Sequence, residues 1–220
     1  MANSTVFTKK LAAASATSIA ASASAVAGTP MTLTASPVTI DTATSTNSAI
    51  GRRVLLTSTS GSETMQVTLT GTNGSGSVVS ETITFSGSST TLVSNLDYVT
   101  VSQVLPVTNS VGNISVGTNA TGSSPWFALN YSGTSTFTVS AGVELVTGTG
   151  TYSIEYTYDD PNNLVVSTYP YPWTNSTPTA LVAATSTKDG LISFPVKAVR
   201  FTITAGTGGF QVWFVQYGIG

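Results

Sequence analysis

The sequence predicts an all-β protein made of two β-sandwich units, of jelly-roll or immunoglobulin-like type, that follow an extended or partly helical N-terminal arm. Three observations support this fold class. Apolar residues alternate with Ser and Thr along most of the chain after residue 31, turn-forming residues separate the alternating segments, and no helical periodicity follows residue 30. Alternation with a period of two is typical of strands with one buried and one solvated face, and short strands separated by regular turns suit a sandwich.

We expect the arm to span residues 1–37, the first sandwich unit residues 38–120 and the second unit residues 121–220, with a Pro- and Tyr-rich insertion at 159–190. The boundary is expected near Asn119–Ser124. Both halves close with a long strand, a Gly-containing turn and a final strand, which favours two units. The residue identity between the halves is weak, so a single larger sandwich stays open as an alternative.

The N-terminal residues 1–28 share features with a secretory signal peptide. Lys9 and Lys10 precede a small apolar segment, Leu11–Ala27, which ends in Ala25-Val26-Ala27. The segment has few large aliphatic residues, so two other interpretations stay open. One is an arm that a neighbouring subunit holds, because chain termini are ordered only when something ties them down; the other is a short Ala-rich helix packed on its own unit. No membrane-spanning helix is predicted, because there is no run of about 20 strongly apolar residues.

The first unit is predicted from short alternating segments. Thr suits the solvated face of such strands because it is β-branched and polar. Gly71–Gly76 predicts the loop of a hairpin between two of them. The segments, in order, are Met31–Thr34, Val38–Ile40, Val54–Leu56, Met65–Thr70, Glu81–Phe85, Val99–Val104 and Ile114–Val116.

The second unit is predicted in the same way. Its strand candidates are Trp126–Tyr131, the region 134–146, Tyr152–Tyr158, Val199–Ile203 and Phe210–Tyr217. The insertion at 159–190 separates the third candidate from the fourth.

The composition excludes several classes of function. The 220 residues include only seven Lys or Arg and nine Asp or Glu, whereas Ser and Thr number 31 and 40. There is no His and no Cys, which excludes structural zinc sites, iron–sulfur clusters, disulfide scaffolds and His- or Cys-based catalysis. A net charge of −2 argues against nucleic-acid binding, which needs a basic patch. We therefore expect no enzyme activity and no cofactor, although a Ser–Lys or carboxylate enzyme is still possible.

Two groups of acidic residues were weighed for chemistry. Asp159–Asn163 is rich in oxygen ligands for a hard cation, but it lacks the spacing of a known calcium loop, and Pro161 favours a simple turn. Glu144 and Glu155 could face each other across neighbouring strands, as the paired carboxylates of a glycosidase do. Nothing else in the sequence indicates a cleft, so no catalytic or metal-binding residue is predicted.

The candidate interface residues are basic or aromatic. Charges are so scarce that each is expected to have a defined place, and the arginines are expected to pair with Asp41, Glu63, Asp97 or Asp189, in some cases across a subunit boundary. Aromatic residues next to Pro can form a binding surface or cover an open sheet edge. The candidates are Lys9, Lys10, Arg52, Arg53, Tyr169, Tyr171, Trp173 and Arg200.

A set of short motifs covers about residues 51–220: Gly51–Ser58, Val67–Thr72, Ser80–Ile83, Gly112–Gly117, Tyr152–Pro161, Pro195–Arg200 and Val215–Gln216. Together they resemble a β-rich region of tailed-bacteriophage virion structural proteins. The resemblance implies a capsid decoration (cement) protein or a tail-associated β-sandwich protein. It implies no catalytic residues, and it does not include the N-terminal arm.

The leading hypothesis is therefore a non-enzymatic virion protein on the head surface, with the major capsid protein and copies of itself as partners. A homo-oligomer is expected, with a trimer favoured because cement proteins commonly form trimers at local symmetry axes. One alternative is a tail tube, adaptor or fibre-base component. A second is a secreted carbohydrate-binding or adhesive module, which would use Tyr169–Trp173 and the signal-like start.

Overall fold

The computed structural model describes residues 3–40, 50–130, 138–158, 174–175 and 181–217. These residues form β-strands and no α-helix, which confirms the all-β prediction. The strands are β1 (Asn3–Lys10), β2 (Ser15–Ser24), β3 (Val38–Thr39), β4 (Gly51–Ser58), β5 (Gln66–Thr72), β6 (Val78–Thr84), β7 (Thr91–Tyr98), β8 (Thr100–Pro106), β9 (Asn113–Ser123), β10 (Phe127–Ala128), β11 (Thr138–Thr147), β12 (Gly150–Thr157), β13 (Thr174–Asn175), β14 (Lys188–Ile192), β15 (Ala198–Gly206) and β16 (Gly209–Tyr217).

The chain divides into two compact units. The N-unit comprises Ala13–Thr42 and Gly51–Ala120, and the C-unit comprises Met1–Ala12, Ala43–Ile50 and Thr121–Gly220. The chain therefore passes from the C-unit into the N-unit, returns to the C-unit at residues 43–50, completes the N-unit and then supplies the rest of the C-unit. The predicted N-terminal arm is not confirmed, because β1 and β2 are strands of two different units.

The N-unit is a sandwich of two sheets. One sheet has the strand order β2-β9-β4-β7 and the other β3-β8-β5-β6. Numbered within the unit, the first, eighth, third and sixth strands form one sheet, and the second, seventh, fourth and fifth form the other. This is the strand order of a jelly roll, in which two Greek keys fold into a double sheet.

The C-unit repeats this order with its own eight strands. One sheet has the strand order β1-β16-β11-β14, and the other has the order β10-β15-β12-β13. The last residues of β9 also lie against β15, where Ser123 is opposite Thr202. The two units therefore share one topology, which the weak residue identity between the halves conceals.

The hairpin of β5 and β6 shows why the alternating Thr-rich segments form strands. Val67 and Leu69 point into the N-unit core and are fully buried, while the Thr side chains between them point outward. The Thr68 hydroxyl lies 2.8 Å from that of Thr82 on the neighbouring strand. Such cross-strand hydroxyl pairs stabilise the solvated face of a sheet without charge.

The predicted hairpin loop is confirmed in detail. The Asn73 side-chain oxygen accepts hydrogen bonds from the backbone N–H groups of Ser75 and Ser77, at 3.1 and 3.0 Å. Gly76 has a φ of +80°, a left-handed conformation that residues with a Cβ rarely adopt. The side-chain acceptor and the glycine together fix the turn that sets the β5–β6 register.

Two expectations about element positions are wrong. Met31–Thr34 is not a strand, because Met31 N–H bonds to Val104 of β8 whereas Thr34 N–H bonds to Ile19 of β2. These strands belong to different sheets, so the segment crosses between sheets and follows neither edge. The predicted insertion at 159–190 also includes β13 and the start of β14, which are strands of the C-unit.

An aromatic cluster occupies the C-unit core between its sheets. The Phe7 ring of β1 stacks on Phe127, with centroids 4.9 Å apart, and lies 6.0 Å from Phe214 and 6.4 Å from Phe201. Leu11, just after β1, is also fully buried. β1 therefore supplies part of a core whose other members, apart from Leu11 and Ile50, follow residue 120.

We expect Phe7→Ala to lower the free energy of unfolding by about 3–5 kcal/mol, because it leaves a cavity in this cluster. Val6→Ala is the matched control, since Val6 is the neighbouring residue but its side chain is 49% exposed. The control should change stability by no more than about 0.5 kcal/mol. Chemical denaturation followed by tryptophan fluorescence measures both, and equal effects would contradict the packing role of Phe7.

Candidate interaction surface

Arg200 belongs to a buried polar network on the outward side of the β12–β15 pair. Its Nε donates to Glu155 Oε2 at 2.7 Å, and the Thr202 hydroxyl donates to the same oxygen at 2.9 Å. The guanidinium carbon lies 4.7 Å from the centroid of the Trp126 ring, a cation–π contact. Both charged side chains are buried, so the ion pair is internal to the chain.

Glu144 and Glu155, which were considered as a carboxylate pair and not predicted as one, do not face each other. Glu155 lies directly opposite Arg200, whereas Glu144 lies opposite Gln211 in the other sheet of the C-unit. Strands that follow one another in a jelly roll often belong to different sheets, so nearness in sequence does not make them neighbours. The two carboxylates do not form a catalytic pair.

The other basic candidates take different positions. Arg52 is buried, and its Nε donates to the Asn119 carbonyl at 3.1 Å. Arg53 is partly exposed and lies opposite Asp97 in register, with Nε 4.0 Å from Oδ1, which agrees with one of its expected partners. Lys9 is fully buried, with Nζ 5.6 Å from the Phe7 ring centroid.

Of the predicted interface residues, Lys10 is exposed, whereas Lys9, Arg52 and Arg200 are interior side chains held within the chain. Their burial argues against direct contact with a partner. Tyr169, Tyr171 and Trp173 lie outside the described residues, as do Asp41 and the acidic turn at 159–163.

Glu63 is a buried carboxylate that the sequence assigned to an ion pair. Its oxygens instead accept hydrogen bonds from the N–H groups of Met65 at 3.0 Å and Gly112 at 3.1 Å, and from the Ser58 hydroxyl at 2.9 Å. Thr64 and Val111 donate N–H groups as well. Burial raises the pKa of Glu63, but these donors outweigh it and the pKa is lowered overall.

An exposed apolar surface lies on the outward face of the β1-β16-β11-β14 sheet. Along β16, Phe210, Val212 and Phe214 are buried, so the alternate residues Trp213 and Val215 point away from the core. The register places Val6 opposite Trp213, and Leu191 on β14 occupies the same cross-strand row as Val215. We call Val6, Leu191, Trp213 and Val215 the apolar stripe.

The apolar stripe has a flat centre. Trp213 lies opposite Gly142, and a Cβ added to Gly142 would come within 3.4 Å of Trp213 Cε3, so the indole covers the glycine. Val6, Leu191 and Val215 are 49%, 51% and 36% exposed. Ser4, Ser140 and Thr8 neighbour them on the same face. Two acidic residues also lie on this face: Asp189 is opposite Gly142, and Glu144 is opposite Gln211. A tryptophan with aliphatic and hydroxyl neighbours is typical of a protein contact site.

The sheet edge next to the stripe is formed by β1. This strand ends its sheet, and within the described ranges no other strand pairs with its outer side. Open edges invite pairing with another chain, and natural proteins prevent this with charges that point inward. Lys9, buried on the edge strand itself, is such a charge.

Other features of the described residues offer little chemistry. A groove of about 460 Å³ in the N-unit is lined by small and apolar residues such as Ala23, Val26, Met31 and Leu33, and no titratable side chain lines it. No group of three or more metal-ligating acidic residues occurs in the described part of the chain. The described segments also contain no helix with the length and apolarity to cross a membrane.

Comparison with known proteins provides no relative. A scan against protein-family models and searches of curated proteins and solved structures found no match. Function must therefore be argued from the geometry of the chain.

The apolar stripe was not predicted from the sequence, although one signal of it is present there. The segment Phe210–Tyr217 carries large apolar residues at both odd and even positions, unlike the Thr-rich strands. A strand that is apolar on both faces is typical of one whose two faces are both covered. Here only one of the two faces is covered by the unit itself.

Glu63→Gln should destabilise the N-unit by about 1–3 kcal/mol. The NH2 group of Gln replaces one carboxylate oxygen, so backbone N–H groups that donate to that oxygen lose their acceptor. A lowered folded pKa stabilises the fold above the ordinary pKa of 4.5, and this stabilisation disappears as the pH falls through the folded pKa. The difference in the free energy of unfolding between wild type and variant should therefore be largest at neutral pH and should decrease in acid. Urea titrations across pH measure it, with the exposed Glu144→Gln as control; a difference that does not vary with pH would contradict the charge-based role.

Proposed function

We propose that the chain is a non-enzymatic structural protein of a tailed-bacteriophage virion, which acts through contacts between copies of itself and with the major capsid protein. The observation that carries the proposal is the apolar stripe, a solvent-facing tryptophan with aliphatic neighbours on a rigid sheet. Exposed apolar patches of this kind mark protein contact sites. The resemblance of residues 51–220 to virion proteins supports the viral context.

The fold is compatible with this role. Jelly rolls occur in viral capsid proteins, and also in lectins and cupins. Because one fold serves many functions, the support for this role comes from the surface of the chain. The stripe adjoins hydroxyl side chains, which cost less to desolvate than unpaired charges. Such a face suits a contact that must exclude water over a broad area.

Within the virion, we propose the head surface as the location and a small symmetric oligomer, with a trimer favoured, as the assembled state. The tail is the alternative location. The two differ in copy number, because a decoration protein repeats over the whole head whereas a tail adaptor repeats only around one axis.

The location is tested by counting copies in particles purified from infected cells. Quantitative mass spectrometry with isotope-labelled peptides gives the ratio of this chain to the major capsid protein. A ratio near that of a head-surface lattice is expected. A small ratio would move the proposal to the tail, and absence of the chain from intact particles would overturn it.

Val215→Lys should weaken self-association at least about tenfold, or ~1.4 kcal/mol, because it places a charge in the centre of the stripe. The control is Val78→Lys, the same change at a 70% exposed position on the N-unit. Sedimentation velocity over a concentration series measures association, and thermal unfolding checks that both variants fold. If both variants associate like the wild type, the stripe is not the contact.

A further inference from the structure

The C-unit receives its first strand from an unusual place in the chain. After β1, the chain passes through residues 11–14 into β2 of the N-unit, and the next C-unit strand begins only after residue 120. The short connection at 11–14 is therefore the direct covalent link from β1 to a folded unit, and that unit is not the one β1 completes.

Without β1 the C-unit is incomplete. Every residue from Asn3 to Lys10 pairs with β16, between Gln216 and Gly209. Phe7 fills the space among Phe127, Phe201 and Phe214. An empty β1 position would expose this aromatic pocket and one edge of β16, so a strand of this sequence must occupy it.

A neighbouring copy can supply that strand without new contacts. Among the described strands β1 pairs only with β16, at the end of its sheet, so its release breaks one ladder. Exchange of an identical element keeps every native contact, and short hinge segments promote it. In an assembly the copies stand at high effective concentration, which favours pairing between them.

The alternative route to a sheet that continues between copies, edge-to-edge pairing of β1 with β1, is opposed by Lys9. Its buried, inward-pointing charge on the edge strand is a device that discourages addition of another strand. A second copy that engages this part of the C-unit therefore replaces β1 more readily than it adds to it.

We propose that in the assembled protein β1 of one copy completes the C-unit of a neighbouring copy. The inference rests on the proposed function, because it requires self-assembly. It identifies the partner as a second copy of this chain, the contributed segment as residues 3–10, and the anchor as Phe7 in the aromatic pocket.

The test uses cysteines, of which the natural chain has none. Thr8 and Gln211 lie opposite each other in the β1–β16 register, and both side chains are on the solvent-facing side. Thr8→Cys and Gln211→Cys are made in separate chains with different affinity tags, and the two chains are co-expressed, assembled and mildly oxidised. We expect a mixed, reducible dimer at twice the chain mass on denaturing gels.

Two further samples complete the design. The double variant with both cysteines in one chain should give intermolecular products, and Thr8→Cys co-expressed with Val78→Cys is the control for random collision. Only intramolecular disulfides in the assembled double variant, or Thr8–Thr8 dimers alone, would overturn strand exchange and leave the proposed function intact. Sedimentation of the wild type as a monomer at all concentrations would overturn both.

Discussion

Both units depend on one pairing, that of their first strand with their eighth. In the N-unit this pairing brings Ser15 opposite Thr118, and in the C-unit it brings Asn3 opposite Gln216. The entropy of closing a loop grows slowly with length, by about 0.6 kcal/mol per doubling, so the C-unit can tolerate an inserted domain. Because the N-unit folds with its own ends adjacent, it spaces the C-unit strands much as a short loop would.

The positions of the hydroxyl and charged side chains explain why the chain needs so few charges. Hydroxyl pairs such as Thr68–Thr82 cover the solvated sheet faces, so charge is not needed there. Several of the few charged groups are instead interior and fully engaged: Glu63 binds backbone N–H groups of separate loops, and Glu155 holds Arg200. Buried charges that lose a partner cost several kcal/mol, so these groups specify one arrangement of loops and strands. Arg200 was predicted at an interface because the sequence shows how few charges there are but not where they lie.

Alternation was a sufficient guide where one face of the strand is buried and the other is solvated, as in β5 and β6. Alternation did not predict strands whose burial depends on partners far away in the sequence. β1 and β2 contain mostly small residues, and their burial follows from pairing with strands about a hundred or more positions away, which no local period encodes. Met31–Thr34 alternates like a strand but crosses between sheets. The apolar stripe joins residues 6, 191, 213 and 215, a set that only the strand order assembles.

The shared topology also allows the outward faces of two equivalent strands to be compared. The eighth strand of the N-unit, β9, presents Ser115 and Gly117 on the side away from the core, and both are buried. A Cβ on Gly117 would overlap the Ser15 carbonyl, so the backbone of β2 covers this strand closely. The equivalent strand of the C-unit, β16, presents Trp213 and Val215 to solvent instead. One topology has thus produced a closed face in one unit and a partly exposed apolar face in the other, and contiguous exposed apolar patches are the surfaces on which soluble proteins commonly bind partners.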